Sequence, residues 1–187
     1  MSSSRAKATA PTKAPPERPS SADVRVELKQ SRPFRSETQE ATIALMRTAS
    51  VVGRRMARVV EPRGISPAQY NVLRILRGAG ATGLPTLAIR DRMIEEGSTV
   101  TRLVDKLEAS GFVRRHRTAA DRRQVLCEIS ESGLALLAEL DPLINAAEDE
   151  VMSMLDDDTR RTFIDILASI RLGSTAVRKA ATDPSDG

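Results

Sequence analysis

Residues 97–123 read GSTVTRLVDKLEASGFVRRHRTAADRR, and this stretch decides the fold. Its first half has apolar residues at the i, i+3, i+4 and i+7 spacing of one helical face: Val100, Leu103, Val104 and Leu107. The other sides of this helix are polar, and they carry Ser98, Thr99, Thr101, Arg102, Asp105 and Lys106. A glycine commonly ends a helix, so the pattern predicts an amphipathic helix that stops at Gly111.

After Gly111 the apolar period changes from that of a helix to the two-residue period of a strand. GFVRRHRT at 111–118 and RQVLCEIS at 123–130 predict a hairpin with its tip at residues 119–121. On the second strand Val125, Cys127 and Ile129 share one face. The hairpin concentrates positive charge, because it contains Arg114, Arg115, Arg117, Arg122 and Arg123.

Two further helices are predicted upstream. Ser66 and Gln69 form a capping box around Pro67, and the helix that follows buries Val72, Leu73, Ile75 and Leu76. Gly78 and Gly80 end it. A short helix then begins near Pro85, and its candidate core residues are Leu87, Ile89 and Met93.

Three short helices followed by a hairpin is the element order of a winged helix-turn-helix, in which the second helix of the motif enters the major groove. The arginine-rich hairpin would follow the phosphate backbone as the wing. Charge supports this interpretation, because residues 63–127 carry a net charge of +6 and residues 128–187 carry −8. A basic segment concentrates near polyanions, so the expected partner is double-stranded DNA.

The flanking segments predict helices with broad apolar faces. Residues 36–60 form one helix, ended by Pro62 and Gly64. Ser130 caps a long helix that contains Pro142, and Asp156 caps a final helix. The Pro- and Ser-rich residues 1–35 and the residues after about 173 are expected to be disordered.

Composition limits the classes of protein to which the chain can belong. The chain has 187 residues, of which 2% are aromatic and one is cysteine, so no intrachain disulfide is possible and a cytoplasmic location is expected. No apolar run reaches transmembrane length, and we expect no membrane association, cofactor or metal. His116 and Cys127 are a poor base–nucleophile pair, because the expected hairpin register places His116 opposite Gln124 or Val125. We therefore predict that the chain is not an enzyme.

Three motifs resemble the MarR family of bacterial transcriptional regulators. They are SPAQYNVLRIL at 66–76, STVTRLVDKLEASGFV at 98–113, and DRRQVLCEISESGLALL at 121–137. With the flanking helices the resemblance covers about residues 36–172. It implies a mainly α fold with a small β-hairpin wing, that is, a winged helix-turn-helix domain joined to an all-helical dimerisation region.

The resemblance also implies a domain division and an activity. Residues 1–35 are a basic tail, 36–62 a dimerisation helix and 63–130 the DNA-binding domain. Residues 131–172 form a linker helix and a second dimerisation helix, and 173–187 a tail. The implied activity is that of a homodimeric repressor, released from a palindromic operator by a small-molecule effector whose site is unknown.

The site residues follow from the same resemblance. The recognition helix would contact DNA through Ser98, Thr99, Thr101, Arg102 and Lys106. The wing would do so through Arg115, Arg117, Asp121, Arg122 and Arg123, with Asp121 orienting Arg123. The dimer interface would include Ile43, Met46, Phe163, Ile164, Leu167 and Ile170.

One alternative belongs to a different class of protein. A winged-helix module that binds another protein, without specific DNA binding, would have the same element order. Steep salt dependence, and competition by only one DNA sequence, would distinguish the DNA-binding regulator from such a module.

Overall fold

The computed structural model describes residues 24–95, 99–117 and 125–182, with side chains described as far as residue 174. The helices in these ranges are α1 Val24–Glu27, α2 Glu37–Val60, α3 Pro67–Ala79, α4 Thr86–Arg90, α5 Val100–Ala109, α6 Glu131–Met152 and α7 Asp157–Thr182. The strands are β1 Leu84–Pro85, β2 Val113–Arg117 and β3 Val125–Ile129. The predicted fold class, mainly helical with a small β-hairpin, is confirmed.

Contacts along the chain divide it into two units, residues 1–50 and 51–187. In the first unit Val24 is buried, and Arg47 Nε donates to a carboxylate oxygen of Glu27 at 2.9 Å. The sequence placed the start of order near Ser36, so α1 was missed. A helix of four residues is too short to produce a recognisable apolar period.

The core of the second unit is aliphatic. Helices α3, α5 and α6 pack around the sheet, and their fully covered side chains include Val72, Leu73, Leu76, Val104, Leu107, Leu137 and Leu140. Ile89 of α4 joins this core, but Leu87 is 58% exposed, so its prediction as a core residue was wrong. Ile89 is the buried residue of α4, which is only five residues long.

Local signals set the helix ends. The Ser66 hydroxyl accepts from Gln69 N–H at 3.2 Å, and the Gln69 side chain accepts from Ser66 N–H at 2.9 Å, which confirms the capping box. At α6 the Ser130 hydroxyl accepts from Gly133 N–H at 3.1 Å. At α7 the Asp156 carboxylate accepts from Thr159 N–H at 2.8 Å. Helix α7 continues to Thr182, beyond the end near residue 172 that the sequence suggested.

The sheet has three antiparallel strands in the order β1-β3-β2. Strand β1 was not predicted, because two residues are too few for a period and the second is a proline. Leu84 pairs with Cys127, and Gly83 just before it has φ +60°. A Cβ at Gly83 would lie 2.8 Å from the Cys127 carbonyl oxygen, so a glycine allows the close approach of this third strand.

The hairpin register differs from the prediction. His116 pairs with Leu126 and Arg115 pairs with Cys127, one or two residues further along β3 than expected. None of the helices within the described ranges is long and apolar enough to span a membrane.

Candidate nucleic-acid interface

Helix α5 is held by one face and exposes another. Val100, Val104 and Leu107 are buried in the core of the second unit. At 100° per residue Arg102 and Lys106 lie on the side turned away from this face, and Thr99, which precedes the helix, flanks them; all three are exposed. We call these three residues the outer stripe. Ser98, which was predicted beside them, lies outside the described residues.

The turn that precedes α5 is tied to α3. The Asn71 side chain, which is buried, accepts a hydrogen bond from Ile94 N–H at 3.0 Å. Because Asn71 belongs to the well-packed α3, this bond fixes where the chain enters the turn before α5. Sequence reasoning assigned no role to Asn71; its only signal was a polar residue on the buried face of a helix, next to Val72.

The hairpin exposes further cations to solvent. Arg114 and Arg117 are exposed, and within the described ranges neither has a carboxylate partner. His116 Nδ1 lies 3.9 Å from a Glu128 carboxylate oxygen. The predicted tip contacts Asp121, Arg122 and Arg123 lie outside the described residues.

Arg115 is placed differently from the other hairpin arginines. Its guanidinium forms ion pairs with Asp105 at 2.6 Å and with Glu108 at 3.0 Å, both on α5. Burial, the largest single influence, lowers the pKa of Arg115, but hydrogen bonds to Asp105 and Cys127 and the charges of Asp105 and Glu108 together outweigh it, and the net pKa is raised. The sequence grouped Arg115 with the DNA contacts; in the structure its charge is engaged by carboxylates of the same chain.

Thr101, Asp105 and Glu108 share one side of α5, which we call the wing-facing stripe. They are spaced i, i+4 and i+7, so they follow one line along the helix. Thr101 was predicted as a DNA contact, and its carbonyl oxygen lies 3.5 Å from the Arg115 guanidinium. The outer stripe and the wing-facing stripe are therefore different surfaces of one helix.

His116 and Cys127 do not form a catalytic pair. Cys127 is fully buried, whereas His116 is exposed and belongs to the alternate set of strand positions, which points to the opposite face of the sheet. In the described part of the chain, no cluster of three or more His, Cys, Asp or Glu side chains is arranged to hold a metal ion.

The predicted dimer residues lie on α2 and α7. On α2, Ile43 is half-buried and Met46 is exposed. On α7, Phe163 and Leu167 are half-buried, and Ile164 and Ile170 are exposed. The solvent-facing apolar surface of α7 continues through Ile166 and Leu172.

These elements define a winged helix-turn-helix, and comparison with known proteins identifies its family. The MarR family model matches residues 65–125. The HTH-type transcriptional regulator MhqR of Bacillus subtilis is 27% identical over 132 residues, which are 71% of this chain and 90% of MhqR. The regulator TtmR of Methylorubrum extorquens is 33% identical over 128 residues, which are 68% of this chain and 64% of TtmR.

Solved structures agree with this assignment. CouR from Rhodococcus jostii RHA1 bound to p-coumaroyl-CoA has a TM-score of 0.62 at 26% identity, over 73% of this chain and 95% of CouR. A mutant MarR from E. coli complexed with operator DNA has a TM-score of 0.67 at 21% identity, over 74% and 99% of the two chains. The chain belongs to the MarR family of transcriptional regulators, and it is therefore a regulator rather than an enzyme.

Proposed function

We propose that the chain is a sequence-specific DNA-binding repressor that acts as a homodimer. The observation that carries this proposal is the exposure of four cations on the predicted DNA-binding elements, namely Arg102 and Lys106 on the outer stripe of α5 and Arg114 and Arg117 on the hairpin. Arg102 and Thr99 are near the N-terminal end of α5, which is the end that reaches base edges in this class of motif. Arginines 114 and 117 are suited to phosphate contacts.

The tip residues Asp121, Arg122 and Arg123 complete the proposed contact set. An arginine at a wing tip senses the negative potential of a narrow minor groove, and Asp121 would orient Arg123 for this contact. The complex of the mutant E. coli MarR with operator DNA supports DNA binding by this chain. Our chain would then contact both grooves, with α5 in the major groove and the hairpin tip beside it.

The dimer is proposed from apolar surface. Ile164, Ile166 and Ile170 of α7 are 46–56% exposed, and exposed apolar surface commonly marks a protein interface. A dimer with two-fold symmetry carries two copies of the DNA-reading surface, one on each protomer. We therefore expect a palindromic site whose half-sites are about one helical turn apart, roughly 34–36 Å.

A small-molecule effector is the proposed release signal. In the second unit a cleft of about 440 Å³ lies between the C-terminal half of α2 and α6, which is the size of a small-ligand pocket. Its apolar lining is Val59, Pro62, Leu143, Ala146 and Ala147, and its charged lining is Arg55, Arg58, Arg63 and Glu150, of which Arg55 and Glu150 form an ion pair. The bound p-coumaroyl-CoA of CouR supports an effector of some kind for this chain.

Selection from a random-sequence duplex library, followed by footprinting, tests the proposal. The full chain should enrich one palindromic sequence, and the footprint should show two protected half-sites about one turn apart. Its affinity should fall steeply between about 50 and 200 mM salt, because several phosphate contacts release counterions. Enrichment of no sequence would instead favour the protein-interaction module.

A further inference from the structure

Arg115 lies on the inner face of the hairpin. It pairs with the buried Cys127 in the strand register, so its side chain leaves the sheet on the side that faces the core. Its neighbours Arg114 and His116 leave on the other side, and both are exposed. The Arg115 side chain is 24% exposed, which is low for an arginine on a two-stranded hairpin.

The Arg115 guanidinium reaches two turns of α5. One terminal nitrogen is 2.6 Å from Asp105, and the other is 3.0 Å from Glu108. The first nitrogen also points to the Thr101 carbonyl at 3.5 Å. These partners are the wing-facing stripe, so one side chain of β2 is bound along about 10 Å of the recognition helix.

The carboxylates of Asp105 and Glu108 are unfavourable neighbours for a polyanion. Both are exposed on the helix that we propose to enter the major groove, and unpaired they would repel phosphates. A guanidinium that is shared between them reduces this repulsion. Both of its terminal nitrogens are engaged by these carboxylates.

We propose that Arg115 is a positioning residue for DNA recognition, holding the wing strand against α5 and screening Asp105 and Glu108, and that it is not a phosphate contact. This inference rests on the proposed DNA-binding function. An arginine suits the role because its planar fork binds two carboxylates at once, whereas a lysine offers one point charge. The fork also fixes the distance between the wing and the outer stripe of α5.

A double-mutant cycle on DNA affinity tests the proposal. Arg115→Met, which keeps the apolar stem, is made in the unsubstituted chain and in a background carrying Asp105→Asn and Glu108→Gln. The probe is the duplex that the full chain selects from a random library. In the unsubstituted chain Arg115→Met should lower affinity about tenfold, a coupling typical of residues that share an ion-pair network. In the neutral background the loss should be below about twofold, because no carboxylate is left to screen.

Arg114→Met is the matched control, since it removes the same charge one residue away on the opposite face. It should lower affinity by the same factor in both backgrounds. It should also reduce the slope of log affinity against log salt by about 0.9 for each phosphate that the variant no longer neutralises. Arg115→Met in the neutral background should leave that slope unchanged.

The alternatives give different results. An equal loss in both backgrounds with a reduced salt slope would make Arg115 a phosphate contact and overturn the proposal. Lower thermal stability with unchanged DNA affinity of the folded protein would make it a purely structural ion pair, which also overturns it. If the unsubstituted chain selects no duplex, the proposed function itself is wrong and the inference falls with it. Circular dichroism on each variant ensures that only folded protein is compared.

Discussion

Helices α5 and α7 are both amphipathic in sequence, but the structure treats their apolar faces differently. The apolar face of α5 is covered by its own chain, with Val104 and Leu107 fully buried. On α7, Ile166 and Ile170 remain 52% and 46% exposed. What each helix leaves in solvent therefore differs: α5 exposes only charged, polar and small side chains, whereas α7 exposes large apolar side chains as well as charged ones. The first surface suits a nucleic acid and the second suits a protein.

The largest expected effect concerns α7. Ile166→Glu combined with Ile170→Glu should abolish self-association, because dimerisation would bury two carboxylates without partners. We expect the dimer dissociation constant to rise by at least about 100-fold, since each buried unpaired charge costs several kcal/mol. Analytical ultracentrifugation over a concentration series measures this. Circular dichroism should show that the variant keeps its helices.

Ser169→Glu is the control for that experiment. It adds one negative charge to α7, where the double variant adds two, about 100° around the helix from Ile170 and about 60° from Ile166. This variant should sediment as the unsubstituted chain does. If the double variant dimerises as the unsubstituted chain does, α7 does not form the interface. The exposed apolar surface of α7 would then have no explanation.

Alanine substitution of two glycines, Gly133 and Gly173, tests whether the surroundings of α5 are packed more tightly than those of α7. Gly133 lies in the first turn of α6, and a Cβ there would contact the carbonyl oxygen of Phe112, in the turn after α5, and lie 2.8 Å from Ile129 Cγ1 of β3. Gly173 of α7 has no neighbouring atom within 4 Å of such a Cβ. Gly133→Ala should lower the free energy of unfolding by about 1–3 kcal/mol, as overpacking does. Gly173→Ala should be neutral or stabilising by up to about 1 kcal/mol.

Chemical denaturation of both glycine variants gives the two free energies of unfolding. Equal effects would mean that the surroundings of α5 are no more tightly packed than those of α7. The contrast between the helices would then lie in composition alone.

The sequence predicted those features that depend on neighbouring residues. The capping box at Ser66, the buried face of α5 and the cap at Ser130 each need only a few consecutive positions, and each was found correctly. Strand β1 was missed because its pairing with Cys127 joins positions 43 residues apart, and its two residues carry no pattern.

The sequence did not predict the different role of Arg115, because the expected hairpin register was not the one in the structure. Of the two expected pairings, that of His116 with Val125 was off by one residue, and a slip of one residue reverses which side chains point inward, whereas a slip of two does not. The correct register, with Arg115 opposite Cys127, would have placed this arginine on the inner face. The sequence contains the carboxylates of Asp105 and Glu108, but it does not give the distance between a strand and a helix.

The central claim is that the outer stripe of α5 reads bases while the wing adds affinity. Titration of the selected duplex and its single-base variants at several salt concentrations tests it, using Arg102→Ala and Arg123→Ala. Arg102→Ala should cost about 1–3 kcal/mol and relax the preference at one position in each half-site. Arg123→Ala should weaken binding to many sequences and flatten the salt slope. Unchanged base preference in Arg102→Ala, together with unchanged affinity and salt slope in Arg123→Ala, would contradict the account.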